Sequence, residues 1–142
     1  MVACNSKSPS GQIKLMQKRV DALERQVEVL YNQDFDFLVK EYQALDTTVA
    51  RTRDIREEMQ LLQAYLQQFE NQNAVIKENV EFSRKQLSDL DYDIKNKILD
   101  EETAWQYTRE EEKVLDVMEA QIKYFQEKFD AQKEVVKQLR KE

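Results

Sequence analysis

The chain has 142 residues, with 22 basic and 28 acidic side chains, a formal net charge of −6, single copies of Gly, Pro and Cys, and no His. Zinc sites and the Ser-His, Cys-His and HExxH constellations draw on imidazole, and glycine-rich phosphate cradles need several glycines in one loop, so those chemistries are excluded. The acidic balance without a basic block leaves no footprint for nucleic acid, and no apolar run in the body approaches the ~20 residues of a spanning helix.

Residues 1–11, Met1-Val2-Ala3-Cys4-Asn5-Ser6-Lys7-Ser8-Pro9-Ser10-Gly11, hold the single Pro, Gly and Cys, and read as a flexible lead-in. Val2-Ala3-Cys4 followed by Asn5-Ser6 resembles the end of the lipobox of bacterial lipoproteins, in which a small residue precedes a cysteine that becomes an acylated N-terminus. Met1 stands where that family usually has Leu, and export in the family requires a charged and apolar leader ahead of these residues. The resemblance implies lipidation at Cys4 and attachment to a membrane of the cell envelope. Without acylation the expected location is the cytoplasm. The layout of a cysteine, a short polar tether and heptads is similar to the small murein-lipoprotein type. The chain ends Leu139-Arg140-Lys141-Glu142, without the terminal lysine that type uses for wall attachment.

From Gln12 to Glu142 there is neither Gly nor Pro, as long helices require, so 12–142 is expected to form one long-helix domain. Apolar residues recur at alternating spacings of three and four, beginning with Ile13, Met16, Val20, Leu23, Val27 and Leu30. In heptad terms the β-branched residues sit at a and Met16, Leu23 and Leu30 at d, a pattern that favours parallel pairing. Arg19 at g and Glu24 at e are placed to bridge helices. The phase then shifts to Tyr31, Phe35, Leu38, Tyr42, Leu45 and Val49, which reads as a four-residue stutter.

A second seam runs from Ile55 through Met59, Leu62, Leu66 and Phe69 to Ile94, with Asn73 and Ser83 as its polar members. Asn73 falls at a, where a buried Asn fixes register or partner number; the alternative is a kink at Asn71-Gln72-Asn73. A third seam runs from Leu115 to Leu139. Bends are expected at Asp46-Thr47-Thr48 and at Asp100-Glu101-Glu102-Thr103, where capping and acidic side chains suit new helix N-termini. The helices then cover about Gln12 to Leu45, Thr47 to Leu99 and Glu101 to Lys141.

Beside each seam lies a second apolar stripe: Leu15, Ala22 and Val29; Leu61, Val75 and Phe82; Val114, Val117, Tyr124, Ala131 and Val135. A two-stranded coil needs only a and d, so the wide arcs predict more than one neighbour per helix. The expected fold is therefore all-α, an antiparallel helical bundle or hairpin with coiled-coil packing that self-associates. An extended coiled-coil rod is the alternative.

Asp89-Leu90-Asp91-Tyr92-Asp93 opens like a calcium loop, but Ile94 stands where Gly is needed and Asp100 where Glu is needed, so helix surface is expected. Glu110-Glu111-Glu112 reads as a solvated face. Trp105, Tyr107 and Arg109 form an aromatic cluster that either caps the bundle end or anchors a partner. No catalytic residue, cofactor or metal ligand is expected. The leading expectation is a non-enzymatic structural or protein-interaction module, lipid-anchored in the bacterial envelope through Cys4. The alternatives are an intracellular coiled-coil scaffold or tethering subunit, and a holdase-like helical chaperone.

Overall fold

The computed structural model describes residues 8–48 and 53–141. These residues form an all-α helical bundle in which three helices pack against one another, with no strand among the described residues. Helix α1 spans Pro9–Val29, and a π-helical turn, Leu30–Phe35, leads into α2, Asp36–Thr48. Helix α3 spans Arg53–Lys95 and α4 spans Glu101–Arg140.

The lead-in is shorter than the composition suggests, because α1 already begins at Pro9. Ser8 caps it: the Gly11 N–H donates to Ser8 Oγ at 3.0 Å, and the Gln12 N–H donates to the Ser8 carbonyl at 3.0 Å. Proline suits the first helical position, where its missing N–H costs nothing and its fixed φ is already helical. Residues 46–48 continue α2 instead of opening the next helix, and α3 starts only at Arg53. Val49, the last member of the shifted first seam, lies outside the described residues.

The corner between α3 and α4 turns without glycine. Lys97 adopts φ 57°, the Ile98 N–H donates to the Asp93 carbonyl at 2.9 Å, and the Lys97 N–H donates to the Ile94 carbonyl at 3.1 Å. This is a Schellman ending with lysine at the left-handed position that glycine usually fills. A side chain at that φ costs roughly 1–2 kcal/mol, part of which glycine returns as unfolded-state entropy. Lys97→Gly should therefore stabilise the protein by about 1 kcal/mol; a thermal melt showing no rise or a fall would contradict it. Across the corner, Asp100 caps α4 by accepting the Thr103 N–H at 2.7 Å. That bond holds the Asp100 carboxyl below its usual range. Acids occupy the first turn of α4 and bases the last, as the helix dipole prefers.

The chain divides into two compact units: Met1–Arg25 with Ile76–Gln121, and Gln26–Val75 with Ile122–Glu142. In the first unit the core is drawn from Ile13, Met16, Val20 and Leu23 of α1, Ile76, Val80, Leu87 and Leu90 of α3, and Ala104, Leu115 and Met118 of α4. Thr108 joins that core by donating its hydroxyl to the Ala104 carbonyl at 2.7 Å, which satisfies it locally. Arg19 of α1 reaches Glu119 at 2.8 Å and Asp116 at 2.7 Å on α4, and Arg84 of α3 reaches Asp21, at 2.5 Å, and Glu24 on α1. Arg19 and Glu24 thus bridge helices within one chain. The carboxylates beside Arg19 and Arg84 raise both guanidinium pKa values, led by the bonds to Glu119 and Asp21.

In the second unit Phe69 is fully buried at the centre of an aromatic cluster. Its ring centroid lies 5.0 Å from both Phe125 and Phe129, in edge-on geometry, 5.5 Å from Phe35 and 6.4 Å from Tyr31. Leu30, Leu38, Leu62, Ile122 and Val136 are buried in the same unit. Lys133 pairs with Asp34, and Arg140 with Glu41. Both units fold the chain back on itself, which rules out the extended rod.

The π turn explains the phase shift in the first seam. Before it, Gln12 bonds Glu112 and Arg19 bonds Glu119, each 100 residues apart; Asp34 and Glu41 then meet Lys133 and Arg140, each 99 apart. One additional residue has been absorbed between α1 and α2, as a π turn does. Leu30, Leu38 and Leu45 consequently stay buried, whereas Tyr31 is exposed and Phe35 and Tyr42 are half-buried. The shift is a one-residue skip and not a four-residue stutter. Helix α3 likewise passes through Asn71-Gln72-Asn73 without interruption, so no break in the helix occurs there.

Candidate interaction surface

The second apolar stripes are where the sequence reading departs furthest from the structure. Leu15, Val29, Leu61, Val75, Phe82, Val114, Val117 and Tyr124 are all exposed, and only Ala22 and Val135 among the stripe residues are half-buried. Three helices cover one another's a and d positions without needing these c and g positions. Each helix has the two neighbours that a three-helix bundle supplies, but among the described residues these stripes lie outside the contacts.

The flanks of the first unit differ in kind. Arg19 and Arg84 staple α1 to its two neighbours, α4 and α3. On the α3–α4 side, c and g positions of both helices carry apolar, aromatic, acidic or uncharged polar residues and no Lys or Arg. Tyr107, Glu110, Val114 and Val117 succeed one another along α4 at spacings of three and four, which puts them on one face. They are exposed, Tyr107 by 43%, Val114 by 45% and Val117 by 68%, and Phe82 on α3 is exposed by 62%.

Beside these residues α3 and α4 enclose a cleft of about 310 Å³ lined by Gln86, Asp89, Leu90, Asp93, Tyr107, Glu110 and Glu111. Glu111 continues the d positions of the α4 seam and is half-buried. Its pKa is raised, first by burial and then by the neighbouring Glu110 charge. The Asp89–Asp93 stretch is ordinary helix, with Asp91 paired to Lys95 at 2.7 Å. Among the described residues no group of three or more carboxylates is arranged to hold a metal ion.

Trp105, Tyr107 and Arg109 do not form one cluster. They fall at e, g and b of α4; Trp105 is half-buried, Tyr107 lines the cleft and Arg109 is exposed outside it. Asn73 is buried in α3, yet its side-chain Oδ1 meets no donor among the described residues. Cys4 lies outside the described residues. In sequence, 89–93 reads as helix surface, 110–112 as a solvated face and Tyr107 as part of a separate aromatic cluster; the corner between α3 and α4 brings these stretches to one cleft. No described helix is long and apolar enough to cross a membrane.

Comparison with protein-family models, curated proteins and solved structures gave no match. What the chain can do must be read from its own surfaces.

Proposed function

We propose that the chain is a non-enzymatic protein-interaction module, a helical scaffold that presents the α3–α4 flank of its first unit to another protein. The observation that carries this reading is the exposed row Tyr107, Val114 and Val117 on α4, with Phe82 exposed at a c position of α3 in the same unit. The a and d seams are closed by the chain's own helices, so these side chains contribute little to folding, and contiguous exposed apolar surface of this kind marks docking sites. Aromatic residues there supply large contact area at modest entropic cost. Sequence alone adds anchorage to a membrane through an acylated Cys4, which would fix where the scaffold works.

A photo-crosslinking residue installed in place of Val117, in the native host, is expected to give a discrete adduct with another protein, and one in place of Glu28 is not. Failure of both positions to crosslink would remove the docking reading. Repeating the experiment in a Cys4→Ser background separates docking from anchorage. Anchorage stands if the wild-type adduct sediments with membranes and the Cys4→Ser adduct does not; identical fractionation removes it.

A further inference from the structure

Building on the reading of the bundle as a protein-binding module, we infer that the α3–α4 flank of the first unit docks a basic amphipathic helix, which lies along the groove with its apolar stripe on Phe82, Val114 and Val117 and its Lys or Arg margin against Asp89, Asp93 and Glu110. The apolar part follows from exposure: Phe82 and Val117 are about two-thirds uncovered, at 62% and 68%. Heptad spacing places them on faces that a further helix, packed ridge into groove, would cover.

The charge of the occupant follows from what surrounds those residues. Asp89, Asp93, Glu110 and Glu111 line one cleft with Tyr107 and Gln86, and none of the residues lining that cleft is cationic. Among the described residues no ion pair neutralises Asp89, Asp93 or Glu110, whereas other acids of the unit, Asp21, Glu24, Asp116 and Glu119, are each paired with arginine. An incoming ammonium or guanidinium would supply the missing partner. It would also relieve the penalty that burial and Glu110 place on the charged form of Glu111. A second copy of this chain would bring the same four acids against themselves, and an anionic bilayer would be repelled for the same reason. The complementary occupant is a cationic helix from another polypeptide.

The test uses the full chain and a synthetic helical peptide of leucine on one face and lysine on the other, with a leucine–glutamate peptide as its charge-reversed counterpart. Calorimetry at low and moderate salt is expected to show binding of the lysine peptide only, weakening as salt rises. Asp89→Lys/Glu110→Lys should weaken it at least about tenfold, and Val117→Asp should weaken it as well. Glu28→Lys/Glu78→Lys, which changes net charge equally but lies off the flank, should leave it unchanged. Circular dichroism confirms that each variant remains helical. Equal weakening by both double variants would show general attraction to an acidic protein and overturn the assignment. Absence of binding would overturn it too, as would a self-associated state that Val117→Asp disperses, which would make the occupant a second copy. A discrete crosslink at position 117 with no peptide binding would keep the docking module and discard the basic helix; loss of both would discard the module itself.

Discussion

Phe69→Ala is expected to destabilise the protein by about 3–5 kcal/mol, the range for truncating a buried aromatic ring, and to lower the melting temperature by on the order of 10 °C. Phe69 is fully buried and contacts rings from two other helical stretches, Tyr31 and Phe35 on one side and Phe125 and Phe129 on the other. Two of these contacts are edge-on at 5.0 Å, a geometry worth more than the area it buries. The cavity left by alanine would be lined by those same rings, which are held on separate helices and can collapse only in part. Urea titration of both proteins measures the difference. A loss below about 1 kcal/mol would mean that the cluster repacks freely and that Phe69 is not its centre.

Asn73→Leu is expected to act in the opposite direction, raising stability by about 1–3 kcal/mol, the cost of leaving a buried polar atom unsatisfied. In a coiled coil a buried Asn at a offsets its cost by bonding a partner across the interface. Here the Asn73 Oδ1 has no donor among the described residues, so little of that compensation is present. Leucine suits the position by size and removes the orphaned acceptor. Thermal and urea melts of wild type and Asn73→Leu should separate clearly; a fall in stability would show that the amide is satisfied in solution and serves the fold. Ser83 Oγ and Gln132 Oε1 are also buried without a partner among the described residues, and they make similar, smaller targets.

The seams were legible because a helix that buries one stripe repeats it every three or four residues. Ile13 to Leu30, Ile55 to Leu90 and Leu115 to Leu139 are buried where the spacing puts them, including polar Asn73, Ser83 and Gln132. Spacing says nothing about how many neighbours a helix has. The c and g residues Phe82, Val114 and Val117 looked like surplus core and proved to be surface. Local backbone devices were legible in part. Ser8-Pro9 is a helix start by its chemistry but was masked by the glycine at 11, and Asp100 was identifiable as a cap. Lys97 at positive φ gives no sequence signal, because any residue there is a compromise forced by the turn. The π turn left only an eight-residue gap between Leu30 and Leu38, and the aromatics beside it suggested a different phase. Tyr107 was singled out for the wrong company: at one end of α4 its chain neighbours Trp105 and Arg109 point elsewhere, while its companions Asp89 and Asp93 come from another helix.

The pairing of Gln12 with Glu112 and of Asp34 with Lys133 also sets an order of events. Contacts separated by 100 and 99 residues close long loops, whereas α3 and α4 meet across a five-residue corner from Asn96 to Asp100. Loop-closure entropy therefore favours an α3–α4 hairpin as the earliest structure, with α1 joining afterwards. On a ribosome α1 emerges before α3 and α4 and waits for them with Ile13, Met16, Val20 and Leu23 uncovered. During that interval its charged outer face, and not its eventual partners, keeps the nascent chain in solution.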